Sequence, residues 1–334
     1  MSAAPLDVGI VGAGWMGQLH AATTARHPHA RVSAVASPGE AARLALAGRH
    51  PGAAAHPSLE ALLASGPGDV VVICTPSAQH ADQAVMAAQA GCHVVVEKPI
   101  ATRPRDAARM IEAARAAGVT LSVIHQYRFL DDARRLRQAV ADRRLGRLLS
   151  VHAELALHRD DEYFQHNGGW RSRIDGNGGG ILINQAIHAV DLLRWIFGEP
   201  ECVGAIGDTL ASDGIEGEDT LTALLRFPDG VPGTLRTTQA AARDFPLVID
   251  AIGTRGRATF ARSRLTRWEV DGAEDAAAPA QADEPFGVAH ERQLFGIFDA
   301  LGAGGVPEVE AADAARSLGL VSSIYARAGF GYGD

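Results

Sequence analysis

Glu97-Lys98-Pro99 and the later run Asn184-Gln185-Ala186-Ile187-His188, with Asp191 beyond it, carry the residue types suited to moving protons and steadying charge. A fixed ammonium such as that of Lys98 stabilises negative charge where it develops, and an imidazole such as that of His188 titrates near neutrality and exchanges a proton. If 180–197 is helical, Asn184, His188 and Asp191 fall at i, i+4 and i+7 and share one face. Such a polar stripe on an apolar helix needs partners, because a buried polar group without a hydrogen bond costs about a kcal/mol or more. It is read either as an interior network in which Asp191 holds His188 or as a row facing a substrate.

The third cluster is Gly12-Ala13-Gly14-Trp15-Met16-Gly17, between an apolar run at 7–11 and a helical stretch at 18–26. In that context the three glycines serve a tight turn, close backbone approach to a pyrophosphate, and close helix packing. The helix start then offers unpaired N–H groups and partial positive charge to phosphate. Ser37 stands at the end of the second apolar run, where an acid would select NAD by binding the ribose hydroxyls; Glu40 can serve that purpose, and Arg43 can assist a 2′-phosphate, so NAD and NADP both stay open. Thr75-Pro76 with His80 follows the third run and Glu97-Lys98-Pro99 the fourth, both at strand C-terminal ends, where ligands of open parallel sheets bind.

Arg128, Trp170 and Arg171 are further candidates for contact with substrate, and a guanidinium clamps a carboxylate in bidentate fashion. His152, His158 and His166 lack ligand spacing and carboxylate partners, so no metal site is expected.

These residues must be positioned by two kinds of element. Val- and Ile-rich runs at 7–11, 31–36, 69–74, 93–97 and 120–124 alternate with Ala-rich stretches, the rhythm of βαβ units and a parallel sheet covered on both faces. After residue 145, alternating runs at 148–157, 220–227, 233–239 and 247–252 predict an antiparallel sheet with one face in a core. A long helix is expected over 180–197, two more around 288–301 and 310–328, and a solvated loop over 272–285. The division reads as a dinucleotide-binding domain at 1–128 and an α+β substrate and oligomerisation domain at 129–334.

The 334 residues, 47% hydrophobic and 21% charged, suffice for two cores. A net charge of -8 gives no footprint for nucleic acid or anionic lipid. Three widely spaced cysteines read as reduced core thiols of a cytoplasmic protein, with no signal peptide and no membrane span expected.

Taken in order and spacing, G-x-G-x-x-G, T-P-x-x-x-H, E-K-P and G-G-G-x-L-x-N-Q-x-x-H-x-x-D resemble the Gfo/Idh/MocA oxidoreductases over nearly the whole chain. The resemblance implies an N-terminal Rossmann domain, a C-terminal α+β domain whose open sheet pairs subunits in a homo-oligomer, and NAD or NADP as cofactor. It makes Lys98 the catalytic lysine and His188 the acid/base. It assigns Gly12, Gly14 and Gly17, with Trp15 and Met16, to the phosphate loop, and puts Thr75, Pro76, His80 and Glu97 near the ribose and nicotinamide. Asn184 departs from the family pattern, which often has aspartate there; an amide takes no proton, so His188 is expected to work without it. The implied activity is hydride transfer at a secondary hydroxyl or ketone of a cyclic polyol, sugar or sugar derivative. The alternatives are an NAD-dependent glycosidase with tightly held cofactor and a non-catalytic dinucleotide-binding regulator.

Overall fold

The computed structural model of the chain describes residues 4–66, 68–270 and 284–332. The first part alternates strands and helices: β1 (Leu6–Val11), α1 (Trp15–Thr24), β2 (Ala30–Ala36), α2 (Glu40–Ala47), β3 (Ala54–His56), α3 (Leu59–Ser65), β4 (Val70–Ile73), α4 (His80–Gln89), β5 (His93–Val96), α5 (Pro104–Ala117) and β6 (Leu121–Val123). The strands form one six-stranded parallel sheet in the order β3-β2-β1-β4-β5-β6. Val70 to Ile73 and Val94 to Val96 are buried along their whole length, as strands with helices on both faces must be. The order turns back between β1 and β4, which opens a crevice at their C-terminal ends.

All five expected strands are present, and β3 is an addition. Its three residues, Ala54, Ala55 and His56, lack the β-branched signal, and pairing with β2 makes the strand.

The second part comprises α6 (Asp131–Ala141), β7 (Leu148–His158), α7 (Asp161–Gln165), α8 (Ile174–Asn177), α9 (Ile181–Asn184), α10 (Ile187–Phe197), β8 (Glu201–Asp208), β9 (Thr220–Arg226), β10 (Pro232–Thr238), β11 (Ala240–Gly253), β12 (Gly256–Ala261), β13 (Arg264–Val270), α11 (Val288–Gly302) and α12 (Ala311–Ala328). Its seven strands run β13-β12-β11-β7-β10-β9-β8. Neighbours are antiparallel except β7 and β10, so the sheet is mixed. Strand β9 alternates buried Leu221, Ala223 and Leu225 with outward positions, which gives one covered and one open face.

The single helix predicted over 180–197 is instead broken into α9 and α10. The Ile181 carbonyl accepts N–H groups from both Gln185 and Ala186, and the ladder loses its register there. The loop expected over 272–285 lies, as far as residue 283, outside the described residues.

The chain forms two compact units: Met1–Ile124 with His290–Ala315, and His125–Ala289 with Arg316–Asp334. Most of α11 therefore belongs to the first unit, where Leu294, Ile297 and Phe298 enter the same core as Val8, Ile10, Val35, Val72 and Val95. No helix among the described residues is long and apolar enough to cross a membrane.

Candidate active site

In the first unit the site starts at the turn from β1 to α1. Gly12 has φ of 101°, and a Cβ there would lie 2.7 Å from the Cys74 carbonyl oxygen. At Gly17 a Cβ would meet the Gly12 carbonyl oxygen at 1.8 Å, so the turn closes only with glycine at both places. A Cβ on Gly14 would meet nothing within 4 Å, which leaves room for an approaching group where the backbone is barest. Gly14 caps α1 without a side-chain bond, and the first turn carries no acid, so its N–H groups and dipole are available to an anion. Trp15 is exposed and Met16 half-buried on that first turn. This cradle fits a dinucleotide pyrophosphate.

The β2 end forms a second wall. Ser37 donates its N–H to the His56 carbonyl, and Arg43 folds back to donate to the Pro38 carbonyl at 3.1 Å, with the Ser37 carbonyl 3.5 Å away. Beyond β4, Thr75 donates its hydroxyl to Gln83 Oε1 at 2.6 Å. His80 is buried with Nδ1 2.8 Å from the Pro99 carbonyl and Nε2 3.0 Å from that of Thr75. Burial lowers its pKa, while the two carbonyls its ring nitrogens face pull the other way. His80 thus ties the Thr75-Pro76 turn to the Lys98-Pro99 turn, with its ring nitrogens turned to backbone.

Lys98 is half-buried just beyond the end of β5. Beside it Glu97 is buried, with Oε1 2.7 Å from His20 Nε2 on α1 and Oε2 accepting the Lys98 N–H at 3.1 Å. Burial pushes the Glu97 carboxyl up, but the His20 bond and the nearby His20, His290 and Lys98 outweigh it and hold the pKa at about 2. His290 packs edge-on against His20, with ring centroids 6.1 Å apart, and burial lowers its pKa to about 4. Sequence reasoning did not join His20 and His290 to Glu97, since they lie on α1 and α11. The available cue was that His20 follows the glycine loop by one turn.

In the second unit His188, on the first turn of α10, stacks on Tyr127 with ring centroids 4.7 Å apart and planes 17° from parallel. Tyr127 was not singled out by sequence; its signal was its place beside Arg128. Arg128 and Asp191, expected to meet substrate, are instead turned inward on each other. Arg128 Nε and Nη2 donate to Asp191 at 2.8 and 2.6 Å, Ser317 Oγ donates to the same carboxylate at 2.7 Å, and both ionic side chains are 2% exposed. Burial raises the Asp191 carboxyl, yet His125, Arg128 and Ser317 together hold it at about 2. A charge this deep persists only when paired, so the pair anchors α10 and carries His188.

Asn184 sits on α9 rather than one turn before His188 on a single helix. Its Nδ2 donates to Asn177 Oδ1 at 2.8 Å and its Oδ1 accepts from Gln185 Nε2 at 2.9 Å. Gln185 also donates to the Tyr163 hydroxyl at 2.9 Å, and Arg171 lies over Tyr163 and Trp170, all half-buried. The buried Glu218, another residue the sequence did not flag, accepts N–H groups from Gly180 and Leu182 and the Tyr325 hydroxyl, which fixes the start of α9.

Comparison with known proteins agrees with this architecture. Residues 6–125 match the model of the oxidoreductase family with an NAD-binding Rossmann fold, and residues 133–259 match the GFO/IDH/MocA C-terminal domain. The chain is 30% identical over 267 residues to 1,5-anhydro-D-fructose reductase of Ensifer adhaerens, covering 78% of each chain. To myo-inositol 2-dehydrogenase of Thermotoga maritima it is 27% identical over 261 residues, covering 75% of this chain and 74% of that one. The crystal structure of the WlbA dehydrogenase of Bordetella pertussis, in complex with NADH and UDP-GlcNAcA, superposes with a TM-score of 0.87 at 32% identity over 97% of this chain and 96% of that one. The glycine cradle, the Glu97-Lys98-Pro99 turn and the helix bearing His188 thus belong to a chain that is a member of the Gfo/Idh/MocA family of NAD-binding oxidoreductases.

Proposed function

We propose that this enzyme transfers hydride between NAD and a secondary hydroxyl or ketone of a sugar, cyclic polyol or sugar derivative. The observation that carries the reading is Lys98 at the C-terminal end of β5, beside an ionised Glu97, in the sheet whose first turn is the glycine cradle. The activities named for the anhydrofructose reductase and the inositol dehydrogenase support the substrate class. Gly12, Gly14 and Gly17, with Trp15 and Met16, would hold the pyrophosphate, and Ser37 and Arg43 the adenosine ribose, where Arg43 leaves a 2′-phosphate admissible. Thr75, Pro76 and Glu97 would flank the nicotinamide ribose, with His80 bracing their turns.

The bound dinucleotide supplies the hydride-accepting ring. His188 accepts the hydroxyl proton as base, with Tyr127 holding its ring in one plane. Lys98 steadies the negative charge that grows on the substrate oxygen. Asn184 is an amide and orients rather than exchanges protons. Buried Cys92 and Cys202 without disulfides support a cytoplasmic site of action, and the open face of the second sheet suits pairing with another copy.

The test is reduced-nicotinamide fluorescence with NAD or NADP and a panel of polyols, sugars and sugar acids. Lys98→Ala and His188→Ala are expected to lower kcat about 100-fold or more while dinucleotide binding persists. Wild-type turnover in either variant would remove that residue from the chemistry.

A further inference from the structure

We propose that the Arg171–Tyr163–Arg159 cluster in the second unit is a carboxylate site, and that the preferred substrate is therefore a sugar acid rather than a neutral sugar. The proposal rests on the sugar oxidoreductase reading and narrows its substrate.

The guanidinium of Arg171 lies 4.9 Å from the Tyr163 ring centroid and 4.6 Å from that of Trp170. Aromatic faces engage a guanidinium through its π-system and leave its N–H donors along the edge. Among the described residues no carboxylate and no hydrogen-bond acceptor meets the Arg171 donors, although the side chain is half-buried. Arg159 lies over the same Tyr163 ring at 5.1 Å. It donates Nη1 to Asp244 and to the His158 carbonyl, while its Nε is buried and without a hydrogen-bond partner. Asp160 is engaged at the Tyr163 N–H as the cap of α7, and Asp161 and Glu162 are exposed on its first turn.

Two cations therefore share one phenol ring with one directly paired carboxylate, and the planar fork of Arg171 is held ready for a planar anion. The ring is tied to the proposed chemistry. The Tyr163 hydroxyl accepts from Gln185, which also donates to Asn184, and His188 N–H points to the Gln185 carbonyl at 3.4 Å. A guanidinium stacked only for packing has no need of this connection. The planar fork pairs with two oxygens of one anion, a carboxylate or a phosphate; a single guanidinium with one paired carboxylate beside it suits the singly charged carboxylate, and the phosphate arm of the test separates the two.

The test is calorimetric titration of the enzyme–NADH complex with matched pairs: D-glucose and D-glucuronate, D-galactose and D-galacturonate, UDP-N-acetylglucosamine and its uronate, with glucose 6-phosphate as the phosphate arm. At least one acid is expected to bind about tenfold or more tightly than its neutral partner and than glucose 6-phosphate. Arg171→Leu should remove that preference by weakening the acid about tenfold more than its neutral partner, and be only partly rescued by Arg171→Lys, which keeps charge without the fork. The proposal is overturned if no acid in the panel outbinds its neutral partner, if phosphate binds best, or if Arg171→Leu weakens both members of a pair equally. Binding is read without turnover, so the two readings fail separately. Arg171-dependent acid binding with no hydride transfer would sink the proposed activity alone, and hydride transfer from neutral sugars indifferent to Arg171 would sink the carboxylate site alone.

Discussion

Glu97 keeps a negative charge in the interior because His20 and His290, from helices far apart in sequence, converge on it beside Lys98. A carboxyl whose pKa falls to about 2 on folding binds fewer protons in the native state than in the unfolded chain between that value and the ordinary carboxylate range, near 4. Its contribution is therefore fully present above about pH 4.5 and is lost as pH falls through the native value. Glu97→Gln should be less stable than wild type at pH 7 and should lose less on acidification from pH 5 to 2.5. Urea midpoints across that range check it; parallel acid limbs for the two proteins would show that Glu97 is not held as described. The same substitution is expected to lower turnover, since the Glu97 carboxylate holds His20 and the Lys98 N–H beside the proposed catalytic lysine.

At the scale of elements, the segment that carries Asn184 is shaped by one buried acid. Glu218 takes two N–H groups that no earlier turn of α9 can satisfy, and the Tyr325 hydroxyl as well. Gly180 is required there because a Cβ would lie 1.8 Å from the Glu218 carbonyl oxygen. Burial pushes the Glu218 carboxyl up to about 7 in spite of the donors around it. For an acid raised on folding the sign reverses: the native state holds the extra proton, so stability declines as pH rises from about 4.5 to about 7. Glu218→Gln presents an amide to the Gly180 or Leu182 N–H and should cost roughly 1–3 kcal/mol in chemical denaturation, while flattening that slope. NAD affinity should be unchanged, because the glycine cradle belongs to the other unit. An unaltered slope in the variant would assign the pH dependence elsewhere.

For the whole molecule, the decisive feature is that the first unit is discontinuous. A sheet ending at Ile124 is completed by Leu294, Ile297 and Phe298, and Ser122 donates its hydroxyl to the Val309 carbonyl at 2.7 Å. Each large core side chain removed costs about 2–5 kcal/mol, so the three together approach the full stability of a domain, about 5–15 kcal/mol. A fragment of residues 1–128 is accordingly expected to show no cooperative unfolding and no measurable NAD binding. Cooperative urea unfolding of that fragment, with wild-type affinity, would show that α11 is dispensable to the core.

The residues themselves determined the parallel sheet, the glycine turn and the strand-end position of Lys98, because each is a local matter. Runs of Val and Ile between Ala-rich helices set the strands, and a strand–glycine–helix succession sets a phosphate cradle wherever it occurs. The alternating second half was legible for the same reason, as was a histidine one stretch beyond the triple glycine. The structure alone decided who meets whom. Arg128 and Asp191 look like substrate residues in the sequence and close on each other inside, because a buried charge must find its counterion. The stripe from Asn184 to Asp191 is straight only on an unbroken helix, and the Ile181 carbonyl breaks it by accepting two N–H groups. His20, His290, Glu218 and Tyr163 carry no motif; their roles come from partners between 22 and 270 positions away, and only the packed chain brings such distances to hydrogen-bond or ring-contact length.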